Sequence, residues 1–207
     1  MGVNLNTGLN AQQRGWSSGW PHCNANAMVW VKAGGIGVSL NRGIADLIEE
    51  LMDETVKRGY KLDKQKDDWG YACRAITGST TIPSNHSWGL AIDINAIHNP
   101  YGDHLVTDMP KWMPHLWAQY GFRWGGTYSG HKDAMHYEFM GTPGQAKKLA
   151  KKAKRDFADP NHHPKPKPDP KPIDPLDPPK LTLLERLRAA GRLIQYRARH
   201  HGRPEPK

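Results

Sequence analysis

Hydrophobic positions fall into clear periods only from residue 39 onward. Leu40, Ile44, Leu47, Ile48 and Leu51 recur at helical spacing behind Ser39, a good capping residue, and Gly59 stands where a helix running to about Arg58 would stop. Such a stripe is expected to pack into a core, leaving Glu49, Glu50, Asp53 and Glu54 as a solvated face. Residues 110–120 suit a short helix presenting Trp112, Leu116 and Trp117, stopped by Gly121. Thr142-Pro143-Gly144-Gln145 has the form of a capping box with proline at the first helical position, and predicts a helix to about Phe157 with a basic face. Residues 1–38, rich in Asn, Gly and Trp, predict no helix and are expected to wrap the domain.

Between these helices the period shortens to two. Tyr71 to Thr77 reads as a strand, residues 78–85 as a loop, and Asn99-Pro100-Tyr101-Gly102 as a turn. In residues 89–95, Leu90, Ile92 and Ile94 share one face and Ala91, Asp93 and Asn95 the other, so Asp93 is the one charge on a face of small residues. A charge in such surroundings persists when it is paired or coordinated. His86 lies seven residues earlier, a span of roughly 23 Å if extended and about 10 Å as two helical turns. Bringing His86 to Asp93 therefore requires a chain reversal near Ser87 to Gly89, which Gly89 permits. Further on, Asp133 and His136 are three apart and can lie on one side of a turn, after which Tyr137 and Phe139 face away from His136. Two histidines and one carboxylate leave a fourth position open on zinc, the arrangement of a catalytic site, with Asp133 as a free base beside it.

Ser84, His86, Gly89, Ala91 and Asp93 form an SxHxxGxAxD pattern, followed by Trp124-Gly125-Gly126 and by DxxH at Asp133 to His136. In this order the motifs resemble those of the M15 metallopeptidases, a family of zinc D-alanyl-D-alanine carboxypeptidases and dipeptidases, L-alanyl-D-glutamate endopeptidases and several phage endolysins. The resemblance covers roughly residues 35–140. It implies that His86, Asp93 and His136 bind one zinc ion, that Asp133 is the catalytic carboxylate, that Ser84 contacts substrate, and that Arg74 is the arginine upstream of the first motif. Arg74 stands in Gly70-Tyr71-Ala72-Cys73-Arg74, where the family has a serine-glycine-tyrosine-arginine pattern. The implied fold is α+β, hedgehog/DD-peptidase-like, with a small, mostly antiparallel sheet carrying the metal and helices packed beside it. The implied reaction is hydrolysis of a peptidoglycan stem peptide.

Three rival chemistries were weighed. The facial triad of iron oxygenases also uses two histidines and a carboxylate, but usually separates the first two ligands by one residue, not seven. A non-catalytic, zinc-containing wall-binding module would have no need of Asp133. Specific nucleic-acid binding is suggested by a pI near 9.6, yet residues 1–159 carry 18 Lys and Arg against 15 Asp and Glu. Trp88 and Trp124 are the candidates for a sugar-binding groove, against the commoner role of tryptophan in a core. His131 is a loop histidine near the second motif, and His162-His163 and His200-His201 read as solvated.

Most of the +9 charge belongs to residues 160–207, with 11 basic residues against 5 acidic. Pro160 to Lys180 holds nine prolines and predicts an extended spacer. Beyond it, Thr182 and Glu185 open a basic amphipathic helix striped by Leu183, Leu184, Leu187, Ala190 and Ile194. The expected organisation is a peptidase domain at 1–159, a linker at 160–180 and a helix at 181–207 that docks on an anionic wall polymer or membrane surface. The protein is expected to be a monomer. Cys23 and Cys73 can pair, but two free thiols are expected of a chain made in a reducing cytosol. No export signal or transmembrane run is visible, which suits an endolysin made in the host cytoplasm and released onto the wall.

Overall fold

In the computed structural model, residues 10–63 and 69–159 are described. They fall within the first of two units, Met1–Asp169 and Pro170–Lys207. The expected linker at 160–180 and basic helix at 181–207 lie outside the described residues.

The chain opens with a hairpin. Strand β1 (Met28–Ala33) pairs antiparallel with β2 (Ile36–Asn41), Ala33 opposite Ile36, across Gly34 and Gly35. Both turn residues have positive φ, +59° and +87°, the backbone a two-residue hairpin turn demands. The expectation of a helix starting at Ser39 is thus corrected. Ser39 lies in β2 opposite Trp30, with Val38 and Leu40 buried. Helix α1 (Ala45–Lys57) begins after a turn in which the Asn41 side chain accepts from the Gly43 amide. Gly59, at φ +100°, ends it as expected.

α1 buries Leu47, Ile48, Leu51 and Met52 against the hairpin and the C-terminal helix α3 (Pro143–Ala158). The acidic face is not wholly solvated: Glu54 is 2 % exposed and accepts from Arg58 Nε at 2.6 Å. Burial of that carboxylate is tolerable because its ion pair is one turn away. At α3 the capping box forms in full, Thr142 Oγ1 accepting from the Gln145 amide and the Gln145 side chain from the Thr142 amide.

The central sheet has the order β3-β7-β5 and is antiparallel throughout, with β3 at Ala91–Asp93, β5 at Phe122–Trp124 and β7 at His136–Phe139. Its back face, Tyr137 and Phe139 with Phe122, packs on Trp117 of helix α2 (Trp112–Gln119), with ring centroids 4.7 Å apart for Trp117 and Tyr137. The front face is therefore left to His136 and Glu138. Tyr101–Gly102, expected as a turn, is strand β4, pairing with β6 (Lys132–Asp133) and setting Tyr101 opposite Asp133. Tyr71 to Thr77 is extended but makes no regular strand. The Tyr71 amide donates to Ser39, and from Ala72 on the segment runs antiparallel beside residues 82–86 through Ala72 to His86, Ser84 to Arg74 and Ile76 to Ile82, with one isolated bridge of Ala75 and Pro83. The whole described part is α+β, as expected. None of its helices is long and apolar enough to cross a membrane.

Cys23 and Cys73 form a disulfide, their Cα atoms 5.9 Å apart, which corrects the expectation of two free thiols. The bond ties the N-terminal segment to the residue before Arg74. Sequence separation hid it, because the chain returns to that point only once the hairpin and first motif are folded.

Candidate metal centre

His86 sits in a single 3₁₀ turn, Asn85–Trp88, capped by Ser84, whose Oγ accepts from the His86 amide at 3.3 Å. Gly89 follows in the left-handed region at φ +65° and supplies the expected reversal. A side chain there would also collide with the backbone of Asn41, since a Cβ would lie 2.6 Å from its amide nitrogen. After this turn the chain enters β3, and the register of β3 with β7 sets Asp93 directly opposite His136. One reversal and one strand pairing bring the three residues together.

The ligating atoms form a tight triangle. His86 Nε2 lies 3.2 Å from Asp93 Oδ1 and 3.1 Å from His136 Nδ1, and His136 Nδ1 lies 2.9 Å from Asp93 Oδ1. Tetrahedral bonds of about 2.0–2.2 Å put neighbouring ligand atoms roughly 3.3 Å apart, so the triangle has nearly the dimensions of one face of such a site. His86 Nδ1 is 2.5 Å from the Gly70 carbonyl oxygen and donates to it, which leaves the Nε2 lone pair for the triangle. All three residues are buried. Burial alone would raise the Asp93 carboxyl, but the two imidazoles outweigh it and hold the group well below the usual carboxylate range. The residues present therefore fit a divalent metal: a dry, preformed set of two nitrogens and one oxygen.

Asp133 ends β6, three residues before His136 opens β7. Its Oδ1 is buried and has no hydrogen-bond partner among the described residues. Leaving such an atom unsatisfied costs about 1–3 kcal/mol, a cost that points to function. Its carboxyl is pushed up to about 7, chiefly by burial and also by Asp93 and Glu138, against the pull of His136 and Arg74 in the other direction. The Trp124-Gly125-Gly126 motif holds this carboxylate in place. Trp124 Nε1 donates to the Ala134 carbonyl at 2.8 Å, and Gly125 passes so close to Asp133 that a Cβ would meet its backbone oxygen at 2.4 Å.

Arg74 is half-buried, donates to the Ala75 carbonyl, and lies within electrostatic reach of Asp133. The tryptophans do not form a groove. Trp88 is buried with its Nε1 donating to the Ser17 carbonyl, and the Trp124 ring lies over Gly126. His131 pairs with Asp103 at 2.6 Å and does not join the triangle.

Glu138 was not singled out among the site residues from the sequence. It shares a face with His136, is buried, and accepts from Tyr128 Oη and Arg123 Nε, each at 2.6 Å, and from Asn85 Nδ2. The signal was present: Glu138 stands two residues after His136 in an alternating strand, a charge on an inward face.

Residues 77–139 match a family model described as D-alanyl-D-alanine carboxypeptidase. No curated protein and no solved structure matches the chain significantly. The matched segment contains the three triangle residues, Asp133 and the Trp124-Gly125-Gly126 turn, so the similarity to this peptidase family covers the whole of the candidate site.

Proposed function

We propose that the protein is a zinc-dependent endolysin that hydrolyses a peptide bond in the stem peptides of peptidoglycan, with one zinc ion held by His86, Asp93 and His136. The observation that carries this reading is the pairing of a compact ligand triangle with an unpartnered buried oxygen on Asp133. Zinc, when bound, supplies Lewis acidity that polarises a carbonyl and lowers the pKa of water toward about 7. The remaining work falls to the chain. Asp133 Oδ1 takes a proton from the attacking water and returns it to the leaving amine. A cation beside Asp133 pulls its pKa below the value that burial alone sets, favouring the basic form at neutral pH. Arg74 steadies the oxyanion or anchors a substrate carboxylate. Ser84 uses a lone pair on the His86 amide, and its O–H is the group it would offer to substrate.

The disulfide supports a site of action outside a reducing cytosol, and the sequence motifs support an enzyme rather than a wall-binding module. The test is mass spectrometry of purified peptidoglycan after digestion by the wild-type chain and by Asp133→Ala. New amino termini or released D-alanine from wild type alone support the reading, and their identity separates an L-alanyl-D-glutamate endopeptidase from a D-alanyl-D-alanine carboxypeptidase. Wall binding with no cleaved bond in either sample would favour the binding module.

A further inference from the structure

Asp133 and Glu138 both bring carboxylate oxygens into the interior, but they lie in different surroundings. Asp133 has a free oxygen; Glu138 has none to spare. Its Oε1 accepts from Tyr128 and Arg123 and its Oε2 from Asn85, and Arg14 Nη2 in turn donates to Asn85 Oδ1 at 3.3 Å. A carboxylate held by three donors is a poor base, because each donor stabilises its charged form.

The orientation of His136 gives Glu138 another task. His136 turns Nδ1 toward His86 and Asp93, so Nε2 points to the opposite side of the ring. There it meets Glu138 Oε2 at 3.8 Å. Glu138 also sits in the same strand two residues on, so its position relative to the imidazole is set by β7 itself and by the Arg123 pairing across β5. Nδ1 offers a lone pair to a metal only when the proton of the neutral ring is on Nε2. His86 has the reverse arrangement, with Nδ1 protonated against a backbone carbonyl.

We propose that Glu138 is a positioning residue for the metal centre: its carboxylate stabilises the Nε2–H form of His136 and so presents Nδ1 to the metal, while Arg14, Asn85, Arg123 and Tyr128 fix the carboxylate. The proposal rests on the metal site described above. It accounts for a buried charge that the chemistry of hydrolysis does not use.

The full chain tests it through zinc affinity, measured by competition with a chromophoric chelator, and through the visible spectrum of the cobalt-substituted protein. His136→Ala should lose binding altogether. Glu138→Gln should bind zinc about 10- to 100-fold more weakly, the usual effect of removing a partner behind a ligating histidine, with an altered cobalt spectrum. Tyr128→Phe removes one hydrogen bond from the same carboxylate but keeps its charge, and should stay close to wild type. Glu138→Asp should recover part of the loss, and replaces Glu138→Gln as the test if that variant does not fold. Wild-type affinity in Glu138→Gln, with binding lost in His136→Ala, would overturn the proposal and leave the metal site standing. Equal losses in Glu138→Gln and Tyr128→Phe, or no recovery in Glu138→Asp, would reduce Glu138 to a structural role. Wild-type affinity in His136→Ala would remove the metal site itself.

Discussion

At the scale of the residue, the division of labour between Asp133 and the triangle is the sharpest consequence of the geometry. Asp133 lies outside the ligand set, so Asp133→Ala should keep its bound metal and its fold. Its rate should fall by about 10²- to 10⁴-fold, the usual worth of a general base. Metal analysis and kcat on one preparation check both halves. The same carboxylate sets a pH dependence. Burial is the largest of the effects that raise its pKa to about 7, and only the deprotonated form accepts a proton. Activity should therefore fall as pH drops through that pKa, and a bound cation should move the limb below 7. The residual activity of Asp133→Ala should lack this limb, which a kcat/KM profile measures. The chemistry-bearing residues were legible because their types are so constrained: His86, Asp93 and His136 sat among small or apolar neighbours that could not satisfy them. Glu138 was harder, because a lone acidic residue two positions past His136 gives no sign in the sequence of the three donors that hold it.

At the scale of the element, the three helices were legible from their apolar stripes, though α1 starts at Ala45 and not behind Ser39, and the hairpin was not legible. Gly34-Gly35 between alternating residues was a turn signal, but Leu40 fits both a strand ending at Asn41 and a helix starting at Ser39. The Tyr71 to Thr77 segment falls short of a strand more narrowly: after Tyr71 bonds to Ser39, its remaining backbone bonds run to the single stretch 82–86, yet they close only one isolated bridge, Ala75 with Pro83. Two elements outside the triangle should matter to activity. Gly125→Ala forces a Cβ against the Asp133 backbone. It should cost about 10²-fold in kcat, the effect of a misplacement near 1 Å, with little change in metal content. The disulfide closes a separation of 50 residues, so the Cys23→Ser/Cys73→Ser double variant should lose about 4 kcal/mol. That is roughly 10 °C in melting midpoint for a domain of this size. Thermal unfolding with and without reductant measures it, and the double variant should not respond to reductant.

For the whole molecule, the charge is divided unevenly along the chain. Most of the excess of basic residues lies in 160–207, outside the described residues, while the three candidate metal ligands, His86, Asp93 and His136, lie far from it in sequence. A chain ending at Asp159 should cleave small soluble stem peptides at the full-length rate, yet bind intact walls or anionic vesicles more weakly at low salt. The full-length advantage should shrink as the Debye length falls from about 10 Å at 0.1 M to about 3 Å at 1 M salt. Cosedimentation across a salt series reads this directly, and equal binding by both chains at low salt would leave the tail without an anchoring role.

Catalysis itself is claimed to depend on a single metal in the His86, Asp93 and His136 triangle. Stem-peptide hydrolysis by chelator-stripped protein, followed as zinc is added back, tests that claim most directly. The account predicts no activity at the start and a linear recovery that saturates at one equivalent per chain. Hydrolysis that persists in the fully stripped protein, or that keeps rising well past one equivalent, would contradict it.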